Sequence, residues 1–173
     1  MKKNIISSLS VPRTRYLAEA ALICALYLLF TECSHMLGLA NHAIQIRFSE
    51  ALTILPFFTP ASIPGLFAGC MLSNILTGCA LPDIIFGSLA TLLGAVFSRI
   101  LRSRRWLVPL PPILMNVLIV PPVLLYAYGI GPLWFSAITV AIGEIISCGV
   151  LGMLLLRALE PYRHHIFDHP GSK

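Results

Sequence analysis

Lysine is nearly missing from this 173-residue sequence: Lys2, Lys3 and Lys173 are the whole set. No G-x-x-x-x-G-K-[ST] loop can be assembled from them, so the chain is not an ATPase by itself. Charge of either sign is scarce. It makes up 11% of residues, against about a quarter in soluble domains, and cannot supply a hydrated shell. The five cysteines, Cys24, Cys33, Cys70, Cys79 and Cys148, include no C-x-x-C pair and lie mostly in apolar runs. Free, buried, structural thiols are the expectation. No H-E-x-x-H and no serine–histidine–aspartate pattern points to catalysis. The chain therefore reads as a non-enzyme with no cofactor.

What the sequence has in abundance is apolar length. Hydrophobic residues are 57% of the chain and the mean hydropathy is +0.87. "LAEAALICALYLLFTECSHMLGLA" carries only two carboxylates, and "GPLWFSAITVAIGEIISCGVLGMLLL" only one. Stretches of about 20 apolar residues span a bilayer as helices. The fold class expected is an all-α integral membrane protein. The basic start, "MKKNIISSLSVPRTRY", leads into an apolar run too long for a signal core and without a small-residue cleavage pattern. It is read as a cytoplasmic leader, and the net charge of +5 as basic loops gathered on one membrane face, with no nucleic-acid partner.

Apolar stretches lie near 17–39, 84–98, 107–128 and 132–156, and the segment 51–80 is one span or two. As one helix it would run about 45 Å, against a hydrocarbon core of about 30 Å. Pro56, Pro60 and Pro64 interrupt it, each removing a helix donor. Charge decides between the counts. Lys2, Lys3, Arg13 and Arg15 precede the first span, Arg99, Arg102, Arg104 and Arg105 form one loop, and Arg157 and Arg163 follow the last span. Two short spans within 51–80 put all of these on the cytoplasmic side and leave Arg47 alone outside, as the positive-inside rule asks. The expectation is six transmembrane helices with both termini inside: a leader over 1–15, a membrane domain over 16–160 and a cytoplasmic tail over 161–173. Ser49 is read as an N-cap of the second span, with Glu50 in its first turn. The residues 44–50 are read as an outer loop.

Some charges have local explanations. Glu19 follows Arg15 by four residues, the spacing of a helical ion pair, and Glu160 sits between Arg157 and Arg163. Glu32, Glu50, Asn116 and Glu144 have no such neighbour except Arg47. Polar groups at membrane depth are costly and usually face an interior cavity or pathway. These five are the candidate substrate-binding residues. Glu32 and His35 have the E-x-x-H spacing of a bundle metal site, but the last span offers "EIIS" in place of a second copy, so no metal site is expected. Two small-residue pairs, Ala21 with Ala25 and Gly65 with Gly69, allow close helix approach, either inside the bundle or against a partner.

"ALYLLFTE", "IQIRFSEALTILPFFTPASIPGLFAGCMLSNILTG" and "DIIFGSLATLLGAVFSR" resemble the QueT family of queuosine-precursor transporters, over about residues 16–160. The resemblance implies an S component, the substrate-binding subunit of an energy-coupling factor (ECF) importer. Its bundle has six helices in a bacterial or archaeal cytoplasmic membrane. It also implies a transmembrane T component and two ABC ATPases as partners, with Ala21 and Ala25 on the face that meets the T component. The implied substrate is a 7-deazaguanine such as queuine. Its ring N–H and amino donors suit carboxylates, and the cationic amine some congeners carry suits a second one. The alternatives are an S component for another vitamin or a metal ion, a stand-alone proton-coupled transporter, or a structural membrane protein whose polar residues only join helices.

Overall fold

The computed structural model describes residues 13–39 and 46–166. Most of the expected leader and tail, and the start of the 44–50 loop, lie outside the described residues. Among those described, the protein is all helical. Four helices are long and apolar enough to cross a membrane: Arg13–Met36, Leu81–Ser103, Arg105–Tyr128 and Leu133–Tyr162. Two shorter apolar helices, Phe48–Phe57 and Ser62–Leu76, stand between the first and second of these.

Apolar side chains cover much of the outside of the bundle, and its interior mixes an apolar core with many buried polar groups. Leu17, Leu22, Leu29, Leu118, Trp134 and Leu154 are exposed, whereas Thr31, Ser49, Glu50, Thr53, Asn74, Asp83 and Asn116 are buried. Lipid can cover the first set, and the second must find partners within the protein.

The second helix, Phe48–Phe57, is a 3₁₀ helix of 10 residues, and every residue from Ser49 to Pro56 is buried. At about 2.0 Å per residue it is about 20 Å long. Its start meets the first helix where the Phe48 N–H donates to Ser34 Oγ at 2.9 Å. Past its end, Thr59 Oγ1 donates to Glu19 Oε2 at 2.8 Å. Ser34 and Glu19 are about 22 Å apart along an α-helix, so the tighter, longer-pitched winding fits ten residues to that distance. Arg99 Nη1 donates to the Pro56 and Phe57 carbonyls at 2.8 and 3.4 Å and closes the helix end. The segment that leads into Pro56, Pro60 and Pro64 is thus buried in the middle of the bundle. Leu52, Ile54, Leu55 and Phe58 pack there with Ile23, Tyr27, Leu66 and Leu156.

Two local expectations are corrected. Ser49 is no cap: the helix starts at Phe48 after an extended Arg47, no side chain caps it, and the Ser49 hydroxyl shares a 2.9 Å hydrogen bond with Thr31. A buried hydroxyl across the interface outcompetes a local cap. Glu160 pairs with Arg105 at 3.3 Å rather than with Arg157 or Arg163. Those two lie instead over the Trp106 and Phe57 rings, at 5.5 and 5.8 Å. The Arg15–Glu19 pair forms as its spacing suggests, at 3.1 Å.

The glycine pair joins the first and third helices. A Cβ on Gly65 would come within 2.6 Å of the Ala20 carbonyl oxygen, and one on Gly69 within 2.7 Å of Tyr27 Cβ. Only glycine permits this approach. Ala21 and Ala25 are on the exposed side of the first helix and take no part in it.

Candidate functional site

A small cavity of about 40 Å³ is lined by Arg47, Glu50, Cys70, Asp83, Gly87, Thr91, Asn116, Val120, Leu124, Val140 and Glu144. Four of the five sequence candidates meet here: Arg47, Glu50, Asn116 and Glu144. Glu32 does not. It is partly buried on the first helix, outside the lining.

Two irregular helices aim the carboxylates. Glu50 enters from the 3₁₀ helix. Tyr27 Oη donates to its Oε1, while Oε2 is buried without a hydrogen-bond partner. Glu144 ends the regular stretch Leu133–Glu144, and Ile145–Leu151 continues as a π-helix. Such widened turns recur at functional sites because they redirect side chains without breaking the helix. Asn116 Nδ2 donates to Glu144 Oε1 at 2.9 Å, and the Cys148 thiol donates to Glu144 Oε2 at 3.1 Å. Thr53 Oγ1 is 3.3 Å from Cys148 Sγ, tying the two irregular helices together.

Asp83 also lines the cavity and is not among the sequence candidates. It lies in the first turn of the helix Leu81–Ile100, just after Pro82, and is buried. Tyr128 Oη donates to its Oδ2 at 3.2 Å and accepts the Ala80 N–H at 2.8 Å. Its position ahead of the apolar run 84–98 makes it look like a loop residue. Tyr27 and Cys148 were missed too. The i, i+4 spacing of Glu144 and Cys148 was a usable signal, whereas nothing in sequence links Tyr27 to Glu50.

The cavity therefore holds three carboxylates and one guanidinium. Arg47 makes no salt bridge within 4.0 Å among the described residues. Oxygen and sulfur atoms of Glu50, Glu144 and Cys148 lie within 4.8 Å of one another, close enough to hold a cation. Neither Glu32 nor His35 belongs to such a group among the described residues.

The sequence pattern of the family described as QueT transporter matches residues 17–161. The chain belongs to the QueT transporter family. The family is one of transporters, not enzymes, and this member is a multi-pass protein of the cell membrane. Over 92 residues it is 33% identical to the queuosine precursor transporter QueT of Lactococcus lactis subsp. cremoris (strain MG1363). That match covers 53% of this chain and 54% of the relative, so it spans about half the relative's length. No solved structure matches this QueT family member.

Proposed function

We propose that the protein is the substrate-binding S component of an ECF-type importer, and that it takes up a queuosine precursor, queuine or a related 7-deazaguanine. The observation that carries this reading is the cavity. A bundle sheathed in apolar side chains keeps three carboxylates, a guanidinium and Asn116 around one internal space, and one carboxylate oxygen there has no partner. A guanine-type edge, with adjacent ring N–H and amino donors, fits such acceptors. Arg47, Glu50, Asn116 and Glu144, with Asp83 added, are the proposed substrate contacts. Glu32 has no place on the lining and is set aside.

The reading includes six membrane crossings with both termini cytoplasmic. Four long and two shorter apolar helices give an even count. Arg15 bonds the Ile166 carbonyl at 3.1 Å, so the two ends of the described chain share one side. It also includes a T component on Ala21 and Ala25, and two ABC ATPases behind it. The glycine pair is consumed by internal packing, and the alanine pair is exposed and available for a partner. Mass spectrometry of ligand co-purifying with the protein tests the reading. A deazapurine is expected, and a different vitamin in the cavity overturns it.

A further inference from the structure

The basic end of the bundle takes no part in the central cavity. An open cleft of about 600 Å³ lies there, between the turn 101–107, the end of the helix Phe48–Phe57 and the chain that follows the last long helix. Arg102, Arg104, Arg105 and Arg163 line it, together with the Phe57 and Trp106 rings, and no carboxylate is in the lining. Arg105 is paired with Glu160, and Arg163 lies over the Phe57 ring. Arg102 and Arg104 make no ion pair among the described residues. We propose that this cleft binds the phosphate headgroup of an anionic phospholipid, whose acyl chains lie along the neighbouring helix Leu81–Ile100.

Orientation in a membrane needs only positive side chains on one face. It does not require Arg163, beyond the last long helix, to close on the same cleft as Arg102 and Arg104. Convergent guanidiniums suit a phosphate, because each planar fork can donate to two of its oxygens. Basic pockets between membrane helices recognise anionic headgroups in this way. The wall of the cleft favours a lipid over a soluble phosphate. An adjoining hollow of about 360 Å³ shares Phe57, Arg102 and Arg163 and reaches Ile100. From Ile100, the exposed side chains of Phe97, Leu89 and Phe86 continue along one face of the helix Leu81–Ile100. That stripe is about 21 Å long at 1.5 Å per residue, more than the ~15 Å half of a hydrocarbon core. A headgroup held by the arginines therefore has an apolar face ready for its chains. Trp106 is exposed beside it, and its amphipathic ring favours the membrane–water boundary. A soluble phosphate has no use for the stripe.

Trp106 supplies the test. The chain has two tryptophans, and Trp134→Phe leaves Trp106 alone. The full-length variant is reconstituted in phosphatidylcholine vesicles, and phosphatidylglycerol or phosphatidylcholine brominated near the glycerol is added as the quencher. Brominated phosphatidylglycerol should quench Trp106 at a mole fraction about tenfold lower than brominated phosphatidylcholine needs. Arg102→Gln and Arg104→Gln should each weaken that preference about fivefold, the effect of one arginine at an anionic surface. Arg13→Gln removes a charge from the same end of the bundle but outside the cleft, and should leave the preference unchanged. Equal quenching by the two lipids overturns the proposal. So does a preference that survives both cleft variants, or one that falls as far in Arg13→Gln. If millimolar glycerol 3-phosphate relieves the quenching, the cleft takes a soluble phosphate and the lipid assignment fails. Native mass spectrometry of the unsubstituted protein repeats the comparison without Trp134→Phe: phosphatidylglycerol should stay bound where phosphatidylcholine is lost, and equal retention of both overturns the proposal.

Discussion

Replacing Gly69 with alanine adds one methyl group where the first and third helices touch. That carbon would lie 2.7 Å from Tyr27 Cβ, 3.1 Å from Tyr27 Cγ and 3.2 Å from the Cys24 carbonyl oxygen. Carbon pairs rest at about 3.5–4.0 Å, so the helices must part by roughly 1 Å there. One turn away, Gly65 is pressed as closely on the Ala20 carbonyl, so the interface has no slack to absorb the change. Overpacking of this kind costs about 1–3 kcal/mol, a large part of the ~5–15 kcal/mol that holds a typical domain together. The damage should reach the cavity, because Tyr27 is 1% exposed and its hydroxyl orients Glu50. The expected result is a lower thermal midpoint in detergent together with weaker ligand binding by calorimetry. Tyr27→Phe separates the two effects: it keeps the packing and removes the hydroxyl, so binding should fall with a smaller change in melting. If Gly69→Ala melts and binds as wild type does, the close approach does not support the site and the reasoning fails.

Ala25→Leu, by contrast, lies on an exposed helix face, so the isolated protein should melt and bind ligand normally while losing co-purification with the proposed T component and ATPases; unfolding of the isolated variant would return the alanine pair to internal packing. In a cysteine-free variant, a probe cysteine at Ala43 should be labelled from outside the cell and one at Ser103 should not, and labelling at Ser103 would remove the six-crossing topology. Tyr128→Phe deletes the hydroxyl that joins Ala80 to Asp83, and should cost about 1 kcal/mol per lost bond in thermal unfolding; an unchanged midpoint would show that this link is not structural.

The residues themselves determined the class of this protein. With 11% charge and long apolar runs, no water-facing shell can form, and runs of about 20 apolar residues point to membrane helices, which satisfy their backbone groups within each segment. That Glu50, Asn116 and Glu144 face an interior space was legible for the same reason: a polar group deep in an apolar run has a cost that some interior contact must offset. The Arg15–Glu19 pair was legible because four residues make one helical face. Tertiary structure decided the rest. Glu32 met the same sequence criterion and lies off the cavity, since which way a helix turns its polar residue depends on the neighbours it packs against. Asp83 looked like the edge of a loop until Tyr128, from another helix, reached over it. Gly65 and Gly69 could have faced a partner as readily as Ala21 and Ala25; only the docking of the third helix on the first assigned the glycines inward and left the alanines out. Spacing along a chain fixes contacts within one helix. Contacts between helices depend on rotation and depth, which many distant side chains set together.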